Sequence, residues 1–304
     1  MPSLIQPLFD SPIDIVGDVH GEIEALSLLM QHLGYDPHGS HREGRRLVFI
    51  GDLTDRGPDS PAVVRLIQTL IESGRAQCVL GNHDLNILLG HRKYDNSWYF
   101  GHEFRTKDGA LVPQVLADDS IRNMVKSFFQ TLPIALERPG VRVIHAYWDE
   151  AMIRLAREFA SAEALYLEYE ARLDAEHKNL PALDPIQREL DHQNRNPAKL
   201  LTSGPERRAR NPVESSGKLR HCERVEWWRE YDQPEICVFG HYGIMPGQER
   251  GRGNAFSVDY AVGKRHLERL KEVQPFTTKL AALRLPERQV VFDDGTIEDW
   301  AMRA

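Results

Sequence analysis

The chain contains little cysteine. Its three cysteines, Cys78, Cys222 and Cys237, are odd in number and far apart in a chain of 304 residues, so they form neither a disulfide framework nor a CxxC metal-binding pair. No apolar run reaches the roughly 18 residues that a membrane-spanning helix needs. The stretch from Met1 to Pro12 has no basic segment followed by an apolar one, as a secretory signal would. We therefore expect a cytoplasmic protein with no membrane partner.

Positive charge is also scarce. The chain has 38 Lys and Arg residues against 45 Asp and Glu residues, a formal net charge of −7. This balance argues against a general nucleic-acid binder, although it allows a local basic patch. An acidic chain also suits a protein that gathers divalent cations. The length is sufficient to bury a sizeable core.

Short apolar runs alternate with helix-like segments in the first third of the chain. Buried strands are predicted at residues 13–16, 47–50 and 77–80. The amphipathic segments between them end at Gly34 and Gly74, which predicts crossover helices. This order is typical of a parallel sheet, whose functional residues gather in loops beyond the carboxyl ends of the strands.

The later part of the chain predicts further strands and one insertion. Strands are expected at residues 141–145, 236–239, 256–260 and 280–292, the last with a hairpin turn at Pro286. Residues 150–233 are strongly charged, with a predicted helix over 151–173 and a Pro/Asn/Ser-rich tract over 179–216. We interpret them as an insertion within a single domain spanning 1–304. Composition leaves open whether this insertion is a solvated helix and loop or a substrate cap.

Three glycine-flanked motifs follow the first three strands. They are Gly17-Asp18-Val19-His20-Gly21, Gly51-Asp52-Leu53-Thr54-Asp55-Arg56-Gly57 and Gly81-Asn82-His83-Asp84. Carboxylate, imidazole and amide oxygen without thiolate suit Mn, Fe, Zn or Mg-like ions, and not a structural zinc site. An Arg offers a planar fork for phosphate oxygens, and a His beside a ligand can serve as a general acid. Each motif alone also fits a structural turn or helix cap.

Two more histidines, His145 and His241, each end an apolar strand. A lone histidine in such a place is more often structural than functional. Together with the three motifs, however, these two are what a second metal ion would need. The combination therefore favours a site with two metal ions.

The motifs, with His145 and Gly240-His241, have the order and spacing of calcineurin-like metallophosphoesterases. Within that family the chain most resembles the phosphoprotein-phosphatase branch and its bacterial relatives, which include the diadenosine tetraphosphatases. The resemblance covers residues 13–145 closely and 235–262 moderately. It implies a mixed α/β fold, namely a β-sandwich of mixed sheets flanked by helices, with the helical insertion added.

The resemblance also implies a role for each motif residue. Two divalent metal ions are expected, manganese first, with iron, zinc, nickel, cobalt and magnesium as alternatives. The implied metal ligands are Asp18 and His20 for the first ion, Asp52 as the bridge, and Asn82, His145 and His241 for the second. His83 matches the general acid and Asp55 its carboxylate partner. Arg56 and Asn82 match the residues that bind the substrate phosphate.

Some positions depart from the family pattern or leave a choice. Asp84 matches the dinucleotide hydrolases, where eukaryotic protein phosphatases have Glu. Asp55 is nevertheless present, where symmetrically cleaving dinucleotide hydrolases have Ala. Bulky residues 146–149 follow His145 in place of a Gly-rich turn and predict a narrower pocket. The segment 257–260 corresponds weakly to a further active-site segment that ends in Tyr. A second phosphate-binding arginine is expected among Arg220, Arg224 and Arg229.

We therefore expect direct hydrolysis of a phosphoester, with a metal-bridging hydroxide attacking in line, most like a Ser/Thr protein phosphatase. The alternatives are a diadenosine tetraphosphate (dinucleoside polyphosphate) hydrolase and a catalytically inactive metal-binding scaffold. A nucleic-acid phosphodiesterase is disfavoured by the acidic charge. The expected partner is a phosphorylated protein or a small phosphoester or nucleotide.

Overall fold

A computed structural model of the protein describes residues 3–180, 182–215, 218–245 and 247–300. Within these residues the helices are α1 (Ile23–Leu33), α2 (Ser60–Glu72), α3 (Asn82–Leu88), α4 (Asp119–Phe129), α5 (Glu150–Arg157), α6 (Ala162–Lys178), α7 (Pro185–Arg195), α8 (Pro197–Ser203) and α9 (Arg265–Leu270). The strands are β1 (Ile5–Pro7), β2 (Ile13–Val16), β3 (Arg46–Phe49), β4 (Ala76–Cys78), β5 (Phe104–Arg105), β6 (Leu111–Val112), β7 (Ala135–Arg138), β8 (Val141–Ile144), β9 (Glu206–Ser215), β10 (Lys218–Arg224), β11 (Ile236–Phe239), β12 (Gly251–Arg252), β13 (Ala255–Ser257), β14 (Ala281–Leu285), β15 (Gln289–Phe292) and β16 (Ile297–Asp299).

Two six-stranded mixed sheets form the centre of the fold. The first sheet has the order β16-β15-β14-β2-β3-β4, in which β2, β3 and β4 are parallel. The second has the order β1-β7-β8-β11-β13-β12, in which β8, β11 and β13 are parallel. Within each parallel set the carboxyl ends lie at one edge, so loops from both sheets can meet there.

Alternate residues of the central strands face two different hydrophobic clusters, because successive side chains of a strand point to opposite faces. Ile13 and Ile15 of β2 belong to a cluster that also contains Val143 of β8 and Val238 of β11, so this cluster lies between the sheets. Val16 belongs instead to a larger cluster shared with the helices. Both faces are buried, which explains the continuous apolar runs of these strands.

The insertion packs onto the larger cluster through its apolar side chains. Ile153 of α5, Leu165 of α6 and Leu201 of α8 are fully buried and belong to that cluster. The backbone amide of Ala146 also donates to the carbonyl of Leu201 at 3.2 Å. The insertion is therefore tied to the loop that follows β8.

The insertion has more regular structure than predicted. The single helix expected over 151–173 is wrong: α5 ends at Arg157, and α6 begins after Ser161, whose side chain accepts from the amide of Ala164 at 3.2 Å. The Pro/Asn/Ser-rich tract contains α7 and α8, each with a proline in its first turn, and β9. The capping residues Asp184 and Asn196 start α7 and α8, and such residues are common at helix starts.

The remaining predictions were largely confirmed. The parallel strands and crossover helices of the first third form as expected, and β14 and β15 pair as the predicted antiparallel hairpin. Strand β7 was not predicted, because charged residues occupy half of its short length. Among the described residues, no helix is both long enough and apolar enough to cross a membrane.

Candidate metal and catalytic site

The three glycine-flanked motifs lie together at one edge of the first sheet. Asp18 follows β2, Asp52 follows β3, and Asn82 is the first residue of α3 after β4. The backbone amide of His83 donates to Asp52 Oδ1 at 2.9 Å, which joins the second and third motifs. The residues Asn82 to Asp84 of the third motif therefore form the first turn of α3.

The second sheet supplies the two remaining histidines. His145 follows β8 and His241 follows β11. The amide of His241 lies 3.2 Å from each carboxylate oxygen of Asp18, and the amide of Gly240 donates to the carbonyl of His145 at 2.8 Å. The loops of the two sheets thus contact each other directly at the site.

Backbone strain is concentrated at this site. Five of the predicted site residues have positive φ angles, which L-residues with a side chain adopt rarely. They are His20 (φ 47°), Asp52 (49°), Asp55 (76°), Arg56 (67°) and His241 (71°). Such conformations persist only where the surrounding structure enforces them, and they cluster at functional sites.

Two groups of potential metal ligands share one carboxylate. His20 Nε2 lies 3.7 Å from Asp52 Oδ2 and 3.9 Å from Asp18 Oδ2. His145 Nε2 lies 3.4 Å from Asp52 Oδ1, and His241 belongs to the same group. Because Asp52 takes part in both groups, the described residues offer two adjacent cation sites that share this carboxylate.

Asn82 lies between the two histidines of the second group. Its Oδ1 is 3.2 Å from His145 Nε2 and 2.6 Å from His241 Nδ1. The amide oxygen and both imidazoles therefore converge on one point. All six predicted metal ligands are brought together at the strand ends, and their role as ligands remains a prediction.

Hydrogen bonds from the backbone orient two of the histidine rings. His20 Nδ1 lies 2.9 Å from the carbonyl of Thr54, and His145 Nδ1 lies 2.7 Å from the carbonyl of Ile50. A carbonyl oxygen accepts a hydrogen bond only from a ring nitrogen that carries a proton. In each ring Nδ1 therefore carries the proton, and Nε2 is the nitrogen that can bind a metal ion. Such second contacts fix the ring and its tautomer.

The donor set fits divalent metal ions. Burial raises the pKa of Asp18 well above its usual range, and the nearby Asp259 adds to this effect. Burial lowers the pKa of His20 and of His241 well below the usual range, which leaves both rings neutral, as metal ligands must be. Two cations would neutralise the carboxylates and bind the ring nitrogens that face the site, Nε2 of His20 and His145 and Nδ1 of His241.

Two glycines keep space free around the carboxylates. A Cβ atom at Gly81 would overlap the amide and Oδ1 of Asp52, and one at Gly240 would overlap Asp18 Oδ1 and Ile50. The backbone must therefore approach both carboxylates more closely than a side chain allows. These glycines account for two of the flanking residues in the motifs.

His83 and Asp55 form a buried pair next to the shared carboxylate. His83 Nδ1 donates to Asp55 Oδ2 at 2.6 Å, and His83 Nε2 lies 4.0 Å from Asp52 Oδ2. Burial lowers the pKa of His83, but Asp52 and Asp95 outweigh burial and raise it to about 9. The nearby carboxylates therefore favour the protonated ring, which is the form that a general acid needs.

Arg56 extends across the site. Its Nη1 lies 3.1 Å from His20 Nε2 and its Nη2 lies 3.0 Å from His83 Nε2, while its Nε donates to Asp95 Oδ2 at 2.7 Å. The two outer nitrogens of the guanidinium thus point toward the metal-ligand groups. This is the placement that a phosphate-binding fork needs.

The structure separates the three candidates for a second arginine. Arg224 Nη1 donates to the carbonyl of His241 at 3.1 Å, and Arg224 contributes to the lowered pKa of His241. Arg229 instead pairs with Glu226 at 2.6 Å and Glu249 at 3.0 Å on the surface. Of these arginines, Arg224 is the one in contact with a site loop.

One expectation about the site's surroundings was less accurate, and two contacting residues were missed. Tyr260 packs in the cluster between the sheets, under the Arg250 guanidinium at 3.3 Å, so the tyrosine of the weakly matching segment lies in the core. Asp95 and Trp98 were not predicted, although both contact site residues. Their only signal was a polar and aromatic loop after the third motif.

The chain belongs to the calcineurin-like phosphoesterase family, whose family profile matches residues 11–263. The predicted metallophosphoesterase fold and family are therefore confirmed. The family and the two Asp/His groups that share Asp52 also indicate a dinuclear divalent-metal site.

Curated relatives are similar over a short stretch. The chain is 47% identical over 74 residues to "Bis(5'-nucleosyl)-tetraphosphatase PrpE [asymmetrical]" of Oceanobacillus iheyensis, covering 23% of this chain and 30% of that protein. It is 44% identical over 78 residues to "Bis(5'-nucleosyl)-tetraphosphatase, symmetrical" of Pseudomonas syringae, covering 26% of this chain and 24% of that protein. The matched stretch thus spans less than a third of either relative.

Similarity to solved structures extends over nearly the whole chain. The crystal structure of a cold-active protein-tyrosine phosphatase of a Shewanella species matches with a TM-score of 0.54, covering 98% of this chain and 82% of that one. The sequence identity is only 18%. This likeness supports the fold and carries no information on the substrate.

Proposed function

We propose that the protein is a dinuclear-metal phosphoester hydrolase. The observation that carries this proposal is the sharing of Asp52 between two buried groups, His20–Asp52–His83 and Asp52–His145–His241, with Asp55 hydrogen-bonded to His83. The proposed ligands are Asp18, His20 and Asp52 for one ion, and Asp52, Asn82, His145 and His241 for the other. When bound, such a pair of ions supplies an acidified water as nucleophile and neutralises charge on the phosphate.

The chain's own residues would then orient the substrate and move one proton. Arg56 holds the phosphate oxygens through its two outer nitrogens, and Asn82 and Arg224 contact the phosphate from the other side. His83 donates the proton on Nε2 to the leaving oxygen. Asp55 keeps the ring in the orientation that this transfer needs, because it accepts from Nδ1.

We propose a phosphorylated serine or threonine of a protein as the first substrate class. An alkoxide is a much stronger base than a leaving phosphate, so its departure depends on a positioned acid. The buried and fully hydrogen-bonded His83–Asp55 pair suits that demand. Manganese is the first metal to test.

A dinucleoside polyphosphate is the second candidate substrate class. The names of the two curated relatives favour it, since both are bis(5'-nucleosyl)-tetraphosphatases. The third candidate is an inactive metal-binding scaffold, and the presence of all six proposed ligands in the sequence argues against it. We also propose a cytoplasmic location, in keeping with the free state of Cys78, Cys222 and Cys237.

One panel of assays tests these proposals. The purified protein is supplied with Mn²⁺, and in parallel with Ni²⁺, Co²⁺ or Mg²⁺, and given p-nitrophenyl phosphate, a phosphothreonine peptide and diadenosine tetraphosphate. Phosphate release from the peptide supports the first class, and release of ADP or ATP from the dinucleotide supports the second. No turnover of any substrate by protein that holds two metal ions would refute the proposed hydrolase.

A further inference from the structure

The loop between α3 and α4 brings two side chains into contact with the proposed catalytic residues. Asp95 and Trp98 lie outside the three glycine-flanked motifs, and one contacts Arg56 while the other contacts Asp55. We refer to residues 95–98 as the 95–98 segment. Asp95 Oδ1 also lies 4.0 Å from His83 Nδ1, so the effect of Asp95 on Arg56 has to be measured by phosphate binding.

Asp95 binds the Nε side of the Arg56 guanidinium. Its Oδ2 accepts from Arg56 Nε at 2.7 Å, and its side chain is only 14% exposed. The bond to Nε leaves Nη1 and Nη2 directed at His20 and His83. A long arginine side chain loses rotamer freedom when it binds a phosphate, and a side chain already fixed loses less.

Trp98 holds the Asp55 carboxylate from the side opposite His83. Its ring is fully buried, and its Nε1–H donates to Asp55 Oδ1 at 2.6 Å. The other oxygen, Oδ2, accepts from His83 Nδ1. Each carboxylate oxygen therefore has one N–H donor. Without the indole donor, the carboxylate could rotate away from the orientation that holds the His83 ring.

We propose that Asp95 and Trp98 are positioning residues: Asp95 presents Arg56 to the substrate phosphate, and Trp98 fixes Asp55 so that His83 is correctly oriented. This inference rests on the proposed hydrolase function. Neither residue touches the substrate. Each acts through a neighbour, and the two neighbours have different tasks.

The different tasks give different kinetic signatures. Protonation by His83 matters most for a poor leaving group such as phenoxide and little for p-nitrophenoxide, which leaves readily without a proton. A defect that acts through His83 should therefore depend on the leaving group. Arg56 binds phosphate oxygens that both substrates share, so a defect that acts through Arg56 should be the same for both.

The test of Trp98 uses Trp98→Phe, which keeps an aromatic ring and removes the N–H. With Mn²⁺, we expect kcat for phenyl phosphate to fall about tenfold, as for the loss of one hydrogen bond to a charged group, and kcat for p-nitrophenyl phosphate to fall less than about threefold. The matched control is Trp228→Phe, because Trp228 is also buried and its Nε1 has no hydrogen-bond partner in the described residues. Equal losses on both substrates in Trp98→Phe would overturn the proposed role of Trp98.

The test of Asp95 uses Asp95→Asn, which keeps the shape and removes the charge. We expect KM for both aryl phosphates, and the inhibition constant of inorganic phosphate, to rise about tenfold and by similar factors. The matched control is Asp191→Asn, since Asp191 is also largely buried (18% exposed) and pairs with His177 in the insertion. An unchanged inhibition constant for phosphate would overturn the proposed role of Asp95.

Two further measurements separate this inference from the proposed function. If the wild-type protein holds two metal ions and turns over neither the aryl phosphates, the phosphopeptide nor the dinucleotide, the hydrolase proposal fails, and the positioning roles are judged by binding. Inorganic phosphate, titrated calorimetrically into the metal-loaded protein, should bind about tenfold more weakly to Asp95→Asn. In NMR spectra, the resonance missing from Trp98→Phe identifies the indole N–H of Trp98. This resonance should shift in Asp55→Asn, because Asp55 accepts its hydrogen bond. The absence of both changes would overturn the inference.

Discussion

The substitution Asp55→Asn tests the proposed proton transfer most directly. Asp55 is buried, and its two carboxylate oxygens accept one N–H each, from His83 and from Trp98. An asparagine has the same shape but only one oxygen. Its NH₂ group must therefore face one of the two donors, and the hydrogen bond to that donor is lost.

The expected magnitude follows from the lost interaction. A hydrogen bond to a charged group contributes about 1.5–3 kcal/mol. At about 1.36 kcal/mol for each factor of ten, this corresponds to a decrease in kcat of about 10- to 150-fold. The decrease in kcat cannot exceed the decrease caused by removing the acid itself. His83→Ala removes it and should lower kcat by about 10²–10⁴-fold.

The substitution should also change the pH dependence. Asp55 is one of the groups that raise the pKa of His83. A folded-state pKa above the usual value keeps the acid protonated to higher pH, so activity is lost as pH rises through that pKa. Removing the Asp55 charge lowers this pKa, and the alkaline limb of the kcat profile should move to lower pH.

The assay measures kcat for phenyl phosphate and p-nitrophenyl phosphate between pH 6 and 10, with the metal content determined for each preparation. The decrease in Asp55→Asn should be larger for phenyl phosphate, and two metal ions per chain should remain bound. An unchanged kcat and alkaline limb at full metal content would refute the role of the His83–Asp55 pair. A loss of metal would show that this pair supports the metal ligands instead.

Three further outcomes are expected. Asp52→Asn should leave fewer than two metal ions per chain by elemental analysis and lower activity by more than about 100-fold, because both ligand groups use this carboxylate; full activity with two ions would contradict the shared site. In Gly263→Ala the new Cβ would overlap the His20 ring and lie 2.9 Å from Arg56 Nη1, so the metal content should fall and KM for aryl phosphates should rise. An unchanged KM would show that Arg56 tolerates displacement. Leu165→Ala, at a fully buried position in the insertion, should lower the free energy of unfolding by about 2–5 kcal/mol in one cooperative urea transition. Two separate transitions would contradict a single domain.

The strands and motifs of the first third were predictable because each depends on neighbouring residues. Strand β2 is buried on both faces and so is apolar almost throughout. Gly57 and Gly81 mark places where the backbone packs against His20 or Asp52 too closely for a side chain. Local sequence carries both signals.

The contacts of Asp95, Trp98 and Arg224 were not predictable in the same way. Asp95 reaches Arg56 across 39 residues of the chain, and Trp98 reaches Asp55 across 43. No spacing rule links residues that meet only through tertiary packing. Arg224 lies on the exposed strand β10, and the sequence alone did not distinguish it from Arg220 and Arg229. Its hydrogen bond to the carbonyl of His241 does distinguish it.

The insertion was under-predicted because its helices carry few apolar residues. Helix α7 buries only Leu190 and Gln193, so few apolar residues mark its buried face. Its capping residue and first-turn proline were the more reliable signals. The charged composition of residues 150–233 therefore led to too few helices being predicted there.

The origin of the ligands in two different sheets has a thermodynamic consequence. Asp18, Asp52 and Asn82 come from one sheet, and His145 and His241 from the other, so the second metal ion, held by Asp52, Asn82, His145 and His241, would link the two sheets. Ions that bind only the folded chain stabilise it, by about 2.7 kcal/mol for each site at a free metal concentration 100 times the dissociation constant. A chelator would then weaken the joint between the sheets as well as the chemistry. The free energy of unfolding would then depend on the free metal concentration.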